Sequence, residues 1–157
     1  MDAALISSLG NFGAACAVAF AAMGSALGTG AAGMAAIGVW KKCYAQNRTA
    51  PFMIFAFIGS PLTQTLYGLI LMNRISQIAN NMGDTQNFAA LIAAGMFGGM
   101  AMGFSSWMQG RAAAGASDAL AETGKGFGNY LMVLGIIETV ALFAMVFIGF
   151  VGGVLTG

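Results

Sequence analysis

The chain has 157 residues, of which 59% are hydrophobic and only 7% charged, with 24 glycines, no histidine and a formal net charge of +1. Soluble domains carry about 25% charged residues, so the missing charge excludes a soluble enzyme and the hydrophobicity excludes disorder. The balanced charge gives no reason to expect nucleic acid as a partner; the composition is that of an integral membrane protein.

A helix crosses a bilayer core with about 20 apolar residues, and four stretches qualify. The first runs from Leu5 to Trp40. No basic segment precedes it, the first lysine being Lys41, so it is read as a retained span rather than a signal peptide. Between Gly13 and Ala36 only Cys16, Val18, Phe20, Met23, Leu27 and Met34 are not Gly, Ala, Ser or Thr. Cys16 lies inside this span and Cys43 beyond it. At helical rise the two thiols stand roughly 40 Å apart, too far for a disulfide.

Lys41, Lys42 and Arg48 occupy the first loop, and the second span runs from Pro51, as a helix-starting proline, to Ile78. Within it Ser60, Thr63, Gln64 and Tyr67 fall at i, i+3, i+4 and i+7, which places four polar residues on one face. Pro61 has no N–H, so the Phe57 carbonyl loses its usual partner, and the kink is expected to free an oxygen for an ion. Asn80-Asn81-Met82-Gly83-Asp84 reads as a turn. It divides a first hairpin (1–81), which lacks a membrane carboxylate, from a second (82–157).

The third span runs from Phe88 to about Ala116, with Gly95, Gly99 and Gly103 at GxxxG spacing and Gln109 as its polar residue at depth. Arg111 is expected to snorkel to the interface. Asp118, Glu122 and Lys125 lie in the third loop. The fourth span, Phe127 to Leu155, is bulky and carries Glu138 near its middle. By the positive-inside rule the first and third loops are cytoplasmic and both termini face outward.

The halves resemble each other. Gly28-Thr29-Gly30-Ala31-Ala32-Gly33 can be laid over Gly110-Arg111-Ala112-Ala113-Ala114-Gly115, and Gln64-Thr65 then falls opposite Glu138-Thr139. This is a tandem repeat in one orientation, unlike the inverted repeat of many transporters. Thin first and third spans beside bulky second and fourth spans make a wedge, with one and three inside, and identical wedges close into a ring.

Glu138 carries the functional reading. A carboxylate at the centre of a membrane helix costs about 2.5–3.5 kcal/mol on insertion scales, a cost that a cation carrier explains. Gln64, Thr63 and Gln109 add neutral oxygens to this one charge. Hard oxygen donors with a single negative charge suit Na⁺. A proton requires less: one carboxyl, an apolar pocket and one hydrogen-bond partner. The alternatives are a site for H⁺ and, in another class, a small four-span channel or secondary transporter.

The sequences Pro61-Leu62-Thr63-Gln64-Thr65-Leu66-Tyr67-Gly68, Met108-Gln109-Gly110 and Glu138-Thr139, in that order on the right spans, resemble the rotor proteolipid of V-type rotary ATPases. The likeness is to the four-helix K (or c) subunit in its sodium-pumping bacterial form, and covers nearly the whole chain. It implies an all-α membrane protein of four transmembrane helices, built as two tandem hairpins that assemble into a homo-oligomeric ring. It implies Na⁺ held by Thr63, Gln64, Gln109, Glu138 and the backbone carbonyl of Ser60, with Tyr67 donating a hydrogen bond to the carboxylate. Leu62 stands where a glycine is familiar. Because the first half carries Gln64 where the second carries Glu138, one ion per chain is expected. The implied partners are identical subunits, central-stalk subunits at the cytoplasmic loops, a stator membrane subunit bearing an arginine, and lipid. No organic cofactor is implied, and the ATP chemistry belongs to other subunits, so the chain itself is not an enzyme.

Overall fold

The computed structural model describes residues 2–81 and 87–154, with side chains to residue 150. Within the expected inter-hairpin turn, Met82, Gly83 and Asp84 lie outside the described residues, as does Leu155 at the expected end of span four. The described chain is helical. Helix α1 spans Ala3–Ala45, α2 Ile54–Gly59, α3 Thr63–Asn80, α4 Phe88–Thr123 and α5 Phe127–Val154, and a single 3₁₀ turn over Ser60–Leu62 joins α2 to α3. The segment Ile54–Asn80 is therefore one span, and four helices are long and apolar enough to cross a membrane.

Two helices run past the limits that hydropathy set for them. The Asp2 side chain caps α1, which continues for 43 residues, about 65 Å at helical rise; a whole bilayer measures about 40–45 Å. The apolar run stops at Trp40, but the helix does not, because Val39 and Cys43 remain buried with Leu120 and Ala116 of α4. Helix α4 likewise passes Ala116 to reach Thr123, and closes on Gly124 at φ 65°, whose N–H donates to Leu120 O at 2.8 Å. Lys42 and Glu122 pair at 3.2 Å between these projecting ends. Pro51 does not open a helix as expected. It lies ahead of α2, its carbonyl accepting the Trp40 indole N–H at 3.2 Å.

Helices α1 and α4 are parallel and touch through their backbones. A Cβ on Gly95 would overlap the Gly13 carbonyl, and one on Gly110 would overlap the Gly28 backbone. Gly99 stands in the same way against Cys16 and Ala17. These contacts share one sequence offset, the offset that lays Gly28–Gly33 over Gly110–Gly115. Equivalent residues of the repeat therefore meet along a seam. Helix α5 is the outermost element: 11% of its most apolar stretch is buried, against 39% for α4. Bulky side chains such as Met132, Ile136, Phe143 and Phe147 are exposed along it, as lipid contact requires.

The core has two parts. One gathers Ile6, Ala14, Leu71, Ile75 and Leu91 toward the chain termini; the other gathers Ala36, Ile54, Phe57, Ala113 and Leu134 toward the loops. Gln64, Gln109, Ser106 and Ser25 are buried and form a polar layer between them.

Candidate functional site

Glu138 falls at the middle of the apolar stretch Phe127–Phe150, and Tyr67 at the middle of Ile54–Asn80. Helical spacing carries Thr63, Gln64 and Tyr67 to the face of α3 that meets α4 and α5. The Tyr67 hydroxyl donates to Glu138 Oε1 at 2.7 Å. Gln109 Nε2 donates to Leu134 O at 3.0 Å and lies 3.3 Å from Glu138 Oε2. Gln64 Nε2 donates to Gln109 Oε1 at 2.7 Å. The Thr63 hydroxyl lies 3.0 Å from Ser60 O and 3.2 Å from Gln64 Oε1. Each residue named from the sequence is thus within one hydrogen bond of the next, from the Ser60 carbonyl through Thr63, Gln64 and Gln109 to Glu138.

Gln64 and Gln109 are completely buried, whereas Glu138, Tyr67 and Thr63 are partly exposed toward the outer face. The network therefore has a sealed inner wall of amides and an open outer edge at the carboxylate. Among the described residues every buried side-chain N and O has a partner, as a low-dielectric interior demands. Glu138 is the one carboxylate in the layer, and no cluster of three His, Cys, Asp or Glu occurs among the described residues. One charge surrounded by neutral oxygens matches a monovalent cation or a proton in charge.

The kink at Pro61 behaves differently from expectation. The Phe57 carbonyl is not left free: the Ser60 hydroxyl donates to it at 3.0 Å, replacing the N–H that proline lacks. The disturbance is taken up by the 3₁₀ turn over Ser60–Leu62, which turns Ser60 O toward the Thr63 hydroxyl.

Two residues of the site were missed from the sequence. Ser106, fully buried, donates to Pro61 O at 2.6 Å, and Ser105 donates to Ile137 O at 2.8 Å. Helix α4 therefore grips the 3₁₀ turn with one hydroxyl and the backbone beside Glu138 with the next. The signal was present: these serines precede Gln109 by three and four residues and so share its face. In a span rich in small residues they read as packing. Arg111 is exposed, with its guanidinium 6.0 Å from the Trp107 ring centroid. This is the limit of cation–π range, and places Arg111 outside the network.

Residues 92–151, which include Ser105, Ser106, Gln109 and Glu138, match the family model for the C-type subunit of ATP synthase. The chain is also similar to the A-type ATP synthase subunit K of Methanocaldococcus jannaschii, 33% identical over 137 residues. That alignment covers 87% of this chain and 58% of the relative's own length.

Proposed function

Because the chain belongs to the family of ATP synthase C-type subunits, in a form with two hairpins per chain, we propose that it is a rotor subunit that carries Na⁺ through the membrane at Glu138. Identical copies form a ring. Its cytoplasmic loops, with Lys41, Lys42, Arg48 and Lys125, seat on the central stalk of the ATP-hydrolysing or ATP-synthesising head, and both termini face the other side.

One observation carries the choice of ion: the continuous set Ser60 O, Thr63, Gln64, Gln109 and Glu138, with neighbours 2.7–3.3 Å apart. A proton site needs the carboxyl, its apolar surroundings and one partner such as Tyr67. Two fully buried amides and a threonine hydroxyl are more oxygen than a proton uses, and they are the hard donors that a small monovalent cation takes in place of water. With the ion bound, the site is close to neutral and passes along the lipid boundary at low cost. Emptied, Glu138 bears the full penalty of a charge in hydrocarbon. A fixed arginine on the stator lowers that penalty at one place, so the ion is released there and the ring moves on. Each charge crossing is worth about 2.3 kcal/mol per 100 mV, which is why one ATP requires several such carriers.

The test is labelling by a carbodiimide, which attacks the protonated carboxyl. In the membrane-embedded ring near neutral pH, millimolar Na⁺ should slow modification of Glu138, and Q109L should weaken that protection. If Na⁺ gives no protection and acidity alone sets the rate, the transported ion is H⁺.

A further inference from the structure

Away from the carboxylate, α3 and α5 diverge toward the terminal side of the bundle and leave a groove of about 510 Å³ on the outer surface. Its floor and walls are Ile70, Leu71, Met145 and Val146, and Gly149 and Phe150 flank its shallow end, where Arg74 stands. The volume is typical of a cleft that takes a small ligand. The order of its lining is that of an amphiphile: apolar at depth, cationic at the mouth.

Arg74 is the one Lys or Arg on this side of the Glu138 layer; the other five (Lys41, Lys42, Arg48, Arg111 and Lys125) lie toward the loops. It sits about 10 Å from the middle of its span, a depth from which a snorkelling side chain reaches the headgroup level. The guanidinium is exposed, and no described carboxylate pairs with it, the ion pair among the described residues being Lys42–Glu122. Gly149 keeps the mouth open. A Cβ there would stand 3.6 Å from Leu71 Cδ1 and 3.9 Å from Arg74 Cγ, so a longer side chain would project into the space between them.

We propose that this groove binds an anionic phospholipid, with an acyl chain along Ile70, Leu71 and Val146 and the phosphate on the Arg74 guanidinium. A neutral lipid would fill the apolar part equally well, so charge complementarity at the mouth selects the anionic one. The site is independent of the ion that Glu138 carries.

The oligomer, extracted in mild detergent, is equilibrated with phosphatidylglycerol or phosphatidylcholine of identical acyl chains, and retained lipid is counted by native mass spectrometry. The wild-type chain should retain phosphatidylglycerol about fivefold better, the worth of one basic side chain against an anionic headgroup. R74Q should lose the preference while keeping weak retention of both lipids, and G149L should lose retention of both with the oligomer mass unchanged. Equal retention of the two lipids by the wild type, or an R74Q chain that keeps the preference, overturns the proposal. So does a G149L chain whose oligomer mass changes, because the groove would then be a contact between copies.

Discussion

Gln109 commits its whole amide to the site. Its oxygen accepts from Gln64, and its nitrogen serves both the Leu134 carbonyl and Glu138. Q109L should therefore weaken Na⁺ protection of Glu138 by tenfold or more, since hydrogen bonds to charged groups are worth about 1.5–3 kcal/mol and three partners are left unsatisfied. Carbodiimide labelling across a Na⁺ titration measures this directly. Y67F removes the 2.7 Å donor from the carboxylate and should reduce protection by a similar factor without touching the amides. Ser106 acts one step back, through Pro61 O. S106A should raise the Na⁺ concentration needed for protection several-fold while Glu138 labelling in Na⁺-free medium stays near wild type; S106T, which keeps the hydroxyl, should restore it. A purely structural role would instead lower oligomer stability with no shift in the Na⁺ midpoint.

At the level of helices, the glycines divide into two groups that behave oppositely. Gly110 faces the Gly28 backbone with no space for a methyl group, whereas Gly115 has nothing within 4 Å of its Cβ position. G110A should destabilise the bundle by about 1–3 kcal/mol through overpacking, and G115A should be neutral or stabilise it by about 0.5–1 kcal/mol through helix propensity. Thermal dissociation of the purified oligomer distinguishes them. The sequence shows that both helices are thin but not which glycines touch, because period and composition are the same for the two groups. Four spans, the polar face of α3 and the misplaced Glu138 were legible, since each follows from helical geometry and the dielectric of lipid. The helix ends were not, because hydropathy locates the edge of the membrane rather than the end of the α1–α4 contact, which holds Cys43 and Leu120 together beyond it. Nor was the fate of the Phe57 carbonyl, which depends on a serine rotamer that no pattern encodes.

Taken whole, one chain exposes apolar side chains on every side. Phe12, Met23, Leu27, Phe97 and Phe104 are exposed on α1 and α4 as well as the row on α5. In a ring, part of this surface meets copies and part meets lipid. The detergent-extracted species should therefore have a mass of many chains, and E138Q should leave that mass unchanged while abolishing ion transport by the assembled complex. A monomeric or dimeric species that conducts ions in liposomes without partners would instead favour a channel.

The seam between α1 and α4 has a mechanical meaning. Where two backbones touch without intervening side chains, there are no rotamers to rearrange under load, and little slack to absorb a twist. The paired ends of these helices project beyond the membrane and are tied by Lys42 and Glu122, so they act as the handle of a stiff lever whose shaft runs past Gln109. A torque applied at that handle reaches the layer holding Glu138 almost undiminished, and the glycine strip is what makes the shaft rigid.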